Sequence, residues 1–66
     1  MEIELNGKAH VVLENQTVQD LIASLDLMNK SLAVAINREV VSRSMWAERV
    51  LQTSDKVDIV KAIGGG

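Results

Sequence analysis

The start of the chain alternates apolar and charged positions, as a β-strand with one buried face does. Residues 1–5 show this period of two, and the dipeptide Asn6-Gly7 that follows suits the positive φ angles of a two-residue hairpin turn. The alternation then resumes with apolar residues at every second position, namely Ala9, Val11 and Leu13. The pattern predicts a hairpin of strands 1–5 and 9–13, with His10 facing solvent.

A helical period replaces the alternation in the next segment. Thr17 is suited to cap the N-terminus of a helix, and Asp20 in the first turn interacts favourably with the positive end of the helix dipole. Apolar residues spaced at i, i+3, i+4 and i+7 then form a single stripe, made of Val18, Leu21, Ile22 and Leu25. We therefore expect a helix over residues 17–27 that covers one face of a sheet.

The middle of the chain predicts a second pair of strands. Residues 31–37 contain the run Leu-Ala-Val-Ala-Ile, and a short run without polar interruption suits a strand that is buried on both faces. Periodicity alone leaves a buried helical segment open as the alternative. A turn at residues 37–39 and a short return strand at residues 40–41 follow.

The last third of the chain predicts one more strand. The polar segment 42–51 around Trp46 is expected to form a short helical turn, residues 53–56 carry turn chemistry, and residues 57–63 form the final strand. This order of elements predicts an α+β fold, in which one helix packs on one face of a mixed sheet of four to five strands. It is the ubiquitin-like β-grasp arrangement, with the last strand in the middle of the sheet.

Composition excludes several kinds of site. The chain has 66 residues, no cysteine, one histidine and a net charge of −2, so thiolate metal sites, a cysteine nucleophile and a basic surface for nucleic acid are not expected. No apolar run approaches the ~20 residues that span a bilayer, and the acidic, alternating N-terminus is unlike a secretory signal. We expect a cytoplasmic protein without nucleic-acid or membrane partners.

The three glycines at the end of the sequence are the feature that folding explains least. Glycine loses the most conformational entropy on folding and adds no side chain to a core, so we expect a β-grasp domain over residues 1–63 and a flexible tail over residues 64–66. Such a tail reaches roughly 10 Å and passes through a channel that is too narrow for larger residues. The alternative is a disordered end or a cloning remnant.

The chain holds no catalytic machinery that could act on its own terminus. A carboxylate on Gly66 is ionised at neutral pH and is a poor electrophile until it is activated, for example as an acyl adenylate. No glycine-rich loop followed by Lys and Ser or Thr is present to hold the phosphates of ATP. We therefore interpret the protein as the substrate of a partner enzyme and not as an enzyme.

The full length of the chain resembles the sulfur-carrier proteins of thiamin biosynthesis, the ThiS type. The resemblance lies in a chain near 66 residues, the spacing from Asn37 to Trp46 and the terminal diglycine Gly65-Gly66. Core-pattern positions support it: Val34, Ala35, Ile36, Val41, Asp55, Val57, Asp58, Ile59, Val60, Ala62 and Ile63.

The resemblance implies a reaction sequence at Gly66. An E1-like adenylyltransferase uses ATP to adenylate this residue, and sulfur relayed from cysteine by a desulfurase converts the adenylate to a thiocarboxylate. Thiazole synthase then takes the sulfur for the thiazole ring of thiamin. The carrier itself binds no cofactor. Gly65 and Gly64 give access to the partner's active site.

The surface that docks on the partner is expected to border the tail. Ile63 and Ala62 are candidates for its edge, and Trp46 is either part of this surface or a core anchor that holds a polar loop.

Other functions use the same fold. A molybdopterin-type sulfur carrier and a ubiquitin-like protein modifier both need the same activated tail, although the single aromatic residue favours the thiazole branch. A plain interaction or RNA-binding β-grasp module would not need the glycines. It fits poorly with one aromatic residue and a negative net charge, because base stacking and phosphate contacts need the reverse.

Overall fold

The computed structural model describes residues 1–61, which form a mixed sheet with one α-helix packed on one face. The strands are β1 (Glu2–Leu5), β2 (Lys8–Val11), β3 (Leu32–Ile36), β4 (Glu39–Val41) and β5 (Lys56–Lys61). Helix α1 spans Val18–Ser24, and a 3₁₀ turn spans Arg43–Met45. None of the helices in this part of the chain has the length and apolar character that crossing a membrane requires.

The strand order in the sheet is β2-β1-β5-β3-β4. Strands β1 and β5 run parallel, whereas the β1–β2, β3–β4 and β3–β5 pairs are antiparallel. The element order and the central place of the last strand, both predicted from the sequence, are therefore confirmed.

Both hairpin turns use backbone conformations with positive φ. Asn6 and Gly7 have φ angles of 49° and 84°, and Asn37 and Arg38 have φ angles of 52° and 71°. Two consecutive residues with positive φ match the right-handed twist of the flanking strands, and Asn-Gly is a preferred pair for this turn. The first turn was evident from its sequence, whereas Arg38 gives no such signal.

The second strand of the first hairpin is shorter than predicted, and its apolar side chains face solvent. It ends at Val11, not at residue 13, and Val11 and Leu13 are 74% and 73% exposed. His10 is half-buried because it lies opposite Ile3, a core residue, in the β1–β2 register. The apolar alternation therefore marks the solvent side of β2, and the prediction that His10 faces solvent was wrong.

The N-terminus of helix α1 is capped as predicted. The hydroxyl of Thr17 accepts a hydrogen bond from the backbone N–H of Asp20 (3.1 Å), and the Asp20 carboxylate accepts one from the backbone N–H of Thr17 (2.9 Å). This reciprocal capping box satisfies two N–H groups that have no partner within the helix.

The helix ends earlier than the predicted residue 27. Asp26 has a φ of 59°, its N–H donates to the carbonyl of Ala23, and the N–H of Leu27 donates to the carbonyl of Ile22. These two bonds form a Schellman motif, which terminates a helix at a left-handed residue that is usually glycine. Because an aspartate occupies that position, the sequence lacked the usual stop signal.

Strand β3 is buried on one face only, which corrects the prediction of a strand buried on both. Val34 and Ile36 are 1% and 3% exposed, whereas Ala33 is exposed. The alanines on the outer face are small and apolar, so their hydropathy resembled that of core positions.

The core lies between the sheet and helix α1. Its buried residues are Ile3, Val12, Val18, Leu21, Ile22, Val34, Ile36, Trp46, Leu51, Val57 and Ile59. The stripe predicted on the helix therefore supplies three of the most completely buried side chains, Val18, Leu21 and Ile22.

The core depends on the helix stripe, and Leu21→Ala tests this dependence. Leu21 is 0% exposed, so its truncation leaves a cavity, and we expect the free energy of unfolding to fall by about 2–5 kcal/mol in urea denaturation. The matched control is Leu13→Ala, where the leucine is 73% exposed and a change within about 0.5 kcal/mol is expected. Equal losses in the two variants would contradict this packing.

Candidate functional site at the end of the central strand

Strand β5 leads directly to the residues that the sequence analysis singled out. Its last residue is Lys61, and it alternates between the core, where Val57 and Ile59 are buried, and the opposite face, where Asp58 and Val60 are exposed. Gly66, Gly65, Gly64, Ile63 and Ala62 lie outside the described residues, so their predicted roles stay predictions. The structure therefore defines the base from which these residues continue.

A buried carboxylate holds the start of β5. Asp55 is 6% exposed, and its Oδ2 accepts a hydrogen bond from the backbone N–H of Gln52 (2.8 Å). The same oxygen lies 3.4 Å from the guanidinium of Arg49, which forms an ion pair with it. The turn before β5 is thus tied to the segment that precedes it.

Asn37 connects the β3–β4 turn to the same point. Its Nδ2 donates to Oδ1 of Asp55 (3.1 Å), and its Oδ1 accepts from the backbone N–H of Lys56 (3.1 Å). Its own backbone N–H donates to the Lys56 carbonyl (2.8 Å). In each of these three hydrogen bonds a donor meets an acceptor. Lys56, the first residue of β5, is therefore held by the side chain of Asn37 as well as by the backbone pairing of the sheet.

Trp46 belongs to the core and not to the surface. It is 2% exposed, its indole Nε1–H donates to the carbonyl of Val41 (3.1 Å), and the guanidinium of Arg43 lies 5.0 Å from the ring centroid. A side chain this buried cannot contact a docked partner, so the docking-surface role considered for Trp46 is corrected. Its role as an anchor for an otherwise polar segment is the one the structure supports.

The face of the sheet opposite α1 carries exposed apolar side chains near the end of β5. Val60 and Val40 are 60% and 81% exposed, although valine is usually buried. In the ladders, Val60 lies opposite Ala33 and Val40 lies opposite Ala35, which places the four side chains on adjacent strands of one face. We call Ala33, Ala35, Val40 and Val60 the outer-face patch.

One acidic residue, Asp58, borders the outer-face patch. Asp58 lies opposite Ala35, and Glu4 lies opposite Ala9 and Lys56, so these side chains share the face with the patch. Within residues 1–61, no group of three His, Cys, Asp or Glu residues is placed to hold a metal ion. The site is thus an apolar patch with one acidic neighbour, Asp58, on the strand that leads to residues 62–66.

Three features of this site were missed from the sequence. Val40 and Val60 were predicted as strand residues, with Val60 on the opposite face to Val57 and Ile59, but neither was predicted to belong to an exposed apolar patch. Asp55 was assigned to a turn. Its carboxylate contacts Gln52 and Arg49 nearby in the sequence, but its contact with Asn37 spans 18 residues, which no local pattern reveals.

The fold and the site together define a small β-grasp protein whose central strand leads to a glycine-rich end. The ThiS family matches residues 2–66. Sulfur carrier protein ThiS from Escherichia coli K12 is 35% identical over 66 residues, which cover 100% of each chain. The crystal structure of thiamine biosynthesis protein ThiS from Geobacter metallireducens superposes with a TM-score of 0.86 at 28% identity, with 100% of both chains covered.

A third relative is a longer protein. Thiazole synthase from Magnetococcus marinus is 38% identical over 66 residues, which cover 100% of this chain and 20% of that protein. Because the family match and the Escherichia coli relative both span essentially the whole sequence, the chain belongs to the ThiS family of sulfur carrier proteins.

The Asp55 cluster fixes the start of β5, and Asp55→Asn tests its contribution. Both carboxylate oxygens of Asp55 accept hydrogen bonds, Oδ1 from Asn37 and Oδ2 from Gln52 and Arg49. Asparagine replaces one of these oxygens by an NH₂ group, which cannot accept a hydrogen bond, so the donors on that side lose their acceptor. We expect the free energy of unfolding to fall by about 1–3 kcal/mol in urea denaturation. The control is Asp58→Asn on the exposed face, where a change within about 0.5 kcal/mol is expected. An unchanged stability of Asp55→Asn would show that the cluster contributes nothing.

Proposed function

We propose that this chain is a sulfur carrier of thiamin biosynthesis whose C-terminal Gly66 is adenylated and then converted to a thiocarboxylate. In the first step, a carboxylate oxygen of Gly66 attacks the α-phosphorus of ATP and pyrophosphate leaves. In the second step, the terminal sulfur of a persulfide attacks the acyl carbon and AMP leaves, which gives an acyl disulfide. A thiol then attacks the S–S bond of this acyl disulfide, so that the thiocarboxylate is released and the thiol is oxidised to a disulfide. An E1-like adenylyltransferase catalyses the first step, and a desulfurase relay supplies the sulfur from cysteine.

The observation that carries this proposal is the family match, which extends through the glycines to residue 66. A carrier needs a terminus that reaches into another protein's active site and a body that the other protein can recognise. The glycines lack side chains that would obstruct a narrow channel. The chain thus contributes the reacting carboxylate, and the partner contributes ATP binding and catalysis.

The outer-face patch is the surface we assign to docking. It lies on the same strand that leads to the chain end, and Val60 is one residue before the end of β5. Exposed valines favour an apolar contact, and the carboxylate of Asp58 beside the patch favours a basic group on the partner. Ala62 and Ile63 remain proposed for the edge of this surface.

Thiazole synthase is the proposed recipient of the sulfur. The Magnetococcus marinus protein with that name contains a segment similar to this whole chain. A shared polypeptide holds two domains at high effective concentration, so such a fusion is compatible with a direct transfer between carrier and synthase. A cytoplasmic location for these steps stays a prediction.

Alkylation tests the thiocarboxylate directly, because the chain has no cysteine and therefore no side-chain thiol. The protein is purified from its native host, treated with a thiol alkylator and fragmented in the mass spectrometer. We expect one adduct, mapped to Gly66. A mass shift alone is ambiguous, because exchanging oxygen for sulfur adds nearly the same mass as oxidation of a methionine.

The matched control for the alkylation is a variant that lacks Gly66, which should carry no adduct. If the intact chain gives no adduct even after incubation with ATP, a sulfur donor and the E1-like enzyme, the sulfur-carrier proposal fails. Finding Gly66 joined to a lysine would instead establish a protein modifier.

Threading of the chain end into the partner is tested by Gly65→Val. A β-branched side chain blocks a channel that admits glycine, so we expect ATP–pyrophosphate exchange by the E1-like enzyme to fall to background. Ala23→Val also creates a β-branched side chain, but at an exposed helix position on the other side of the sheet, and it should leave exchange unchanged. Normal exchange with Gly65→Val would overturn the threading.

A further inference from the structure

The parallel pairing between β1 and β5 ends before β5 does. The register pairs Glu4 with Lys56 and Leu5 with Val57, after which the chain reverses at Asn6 and Gly7 to form β2. Strand β3 pairs with β5 as far as Lys61 on the other edge. The second half of β5 therefore has a continuous backbone partner on one edge only.

The side chain of Asn6 supplies the missing partner. Its Oδ1 accepts a hydrogen bond from the backbone N–H of Ile59 (2.8 Å), and its Nδ2 donates to the Ile59 carbonyl (3.2 Å). The backbone N–H of Asn6 donates to the carbonyl of Val57 (2.9 Å). A carboxamide carries the same acceptor and donor as a peptide group, so Asn6 extends the β1 edge by one further pair of hydrogen bonds.

Asn6 thus has two roles: it adopts the left-handed conformation of the turn, and its side chain hydrogen-bonds the backbone of Ile59. Its φ of 49° is a left-handed conformation, which asparagine and glycine adopt more readily than other residues. Glycine would make the turn without the two bonds to Ile59. Asn6→Gly therefore keeps the turn and removes the two hydrogen bonds to Ile59, so an experiment can separate the two roles.

We propose that Asn6 is a positioning residue for the chain end: its carboxamide holds Ile59, two residues before the end of β5, and so fixes the point from which residues 62–66 reach the partner's active site. The inference rests on the proposed function. Five residues span at most roughly 17 Å, so the position of their base determines where the carboxylate of Gly66 lies when the body is docked. Small misplacements of a reacting group reduce rates steeply.

The test uses the full chain with Asn6→Gly, which keeps the turn and removes the carboxamide. We expect faster hydrogen exchange at the Ile59 amide. In ATP–pyrophosphate exchange with the E1-like enzyme, we expect kcat to fall about tenfold and KM for the carrier to change less than twofold, because the outer-face patch remains in place. Assays are run well below the melting temperature of the variant.

Two further variants distinguish positioning from general destabilisation. Asn15 is exposed and also has a positive φ (65°), so Asn15→Gly is the same substitution away from β5 and should leave kcat and KM unchanged. Asn6→Asp keeps the acceptor for the Ile59 N–H but places a second carboxylate oxygen against the Ile59 carbonyl oxygen, so kcat is expected to fall in this variant as well.

The outcomes separate this inference from the proposed function. If the wild-type chain supports exchange and Asn6→Gly supports it with equal kcat, the positioning role is overturned and the proposed function stands. A loss that follows only the fraction of folded protein, or a rise in KM with unchanged kcat, also overturns it. If the wild-type chain supports no exchange, the proposed function fails and the positioning role fails with it.

Discussion

Strand β5 pairs with β3 along one edge and with β1 at the start of the other, and this pairing joins the two hairpins of the sheet. Within residues 1–61, β1–β2 and β3–β4 meet only through β5, which lies parallel to one hairpin and antiparallel to the other. The buried residues of β5, Val57 and Ile59, also pack in the core beneath the helix. One strand therefore closes the sheet, completes the core and carries the chain toward Gly66.

Local patterns were sufficient to predict the fold. The alternation in β1, the Asn6-Gly7 turn and the Thr17 cap each depend on residues close in sequence, and each was confirmed. Errors arose where a tertiary contact decides the outcome or where an unusual residue occupies a left-handed position. His10 is half-buried because it lies opposite Ile3, and the helix stops where Asp26 adopts a left-handed conformation.

Part of the candidate site could be predicted from the sequence and part could not. The glycines are visible in the sequence as an end that folding does not explain, and they direct attention to Gly66. The groups that hold β5 are not visible, because Asn6 contacts Ile59 and Asn37 contacts Asp55 across long sequence separations. Trp46 differs from these residues, because its role as a core anchor for a polar segment was one of the two predicted from the sequence, and its burial confirms that role.

The central position of β5 has a consequence for folding during synthesis. Among the described strands it is the last to leave the ribosome, so β1 and β3 have no partner on their inner edges until it emerges. Contacts such as that between Asn6 and Ile59 close long loops, and non-local pairing of this kind slows folding. Unpaired strand edges favour association between chains. The strand that leads to the glycines therefore also ends the interval in which the unpaired edges of the nascent chain can associate with other chains.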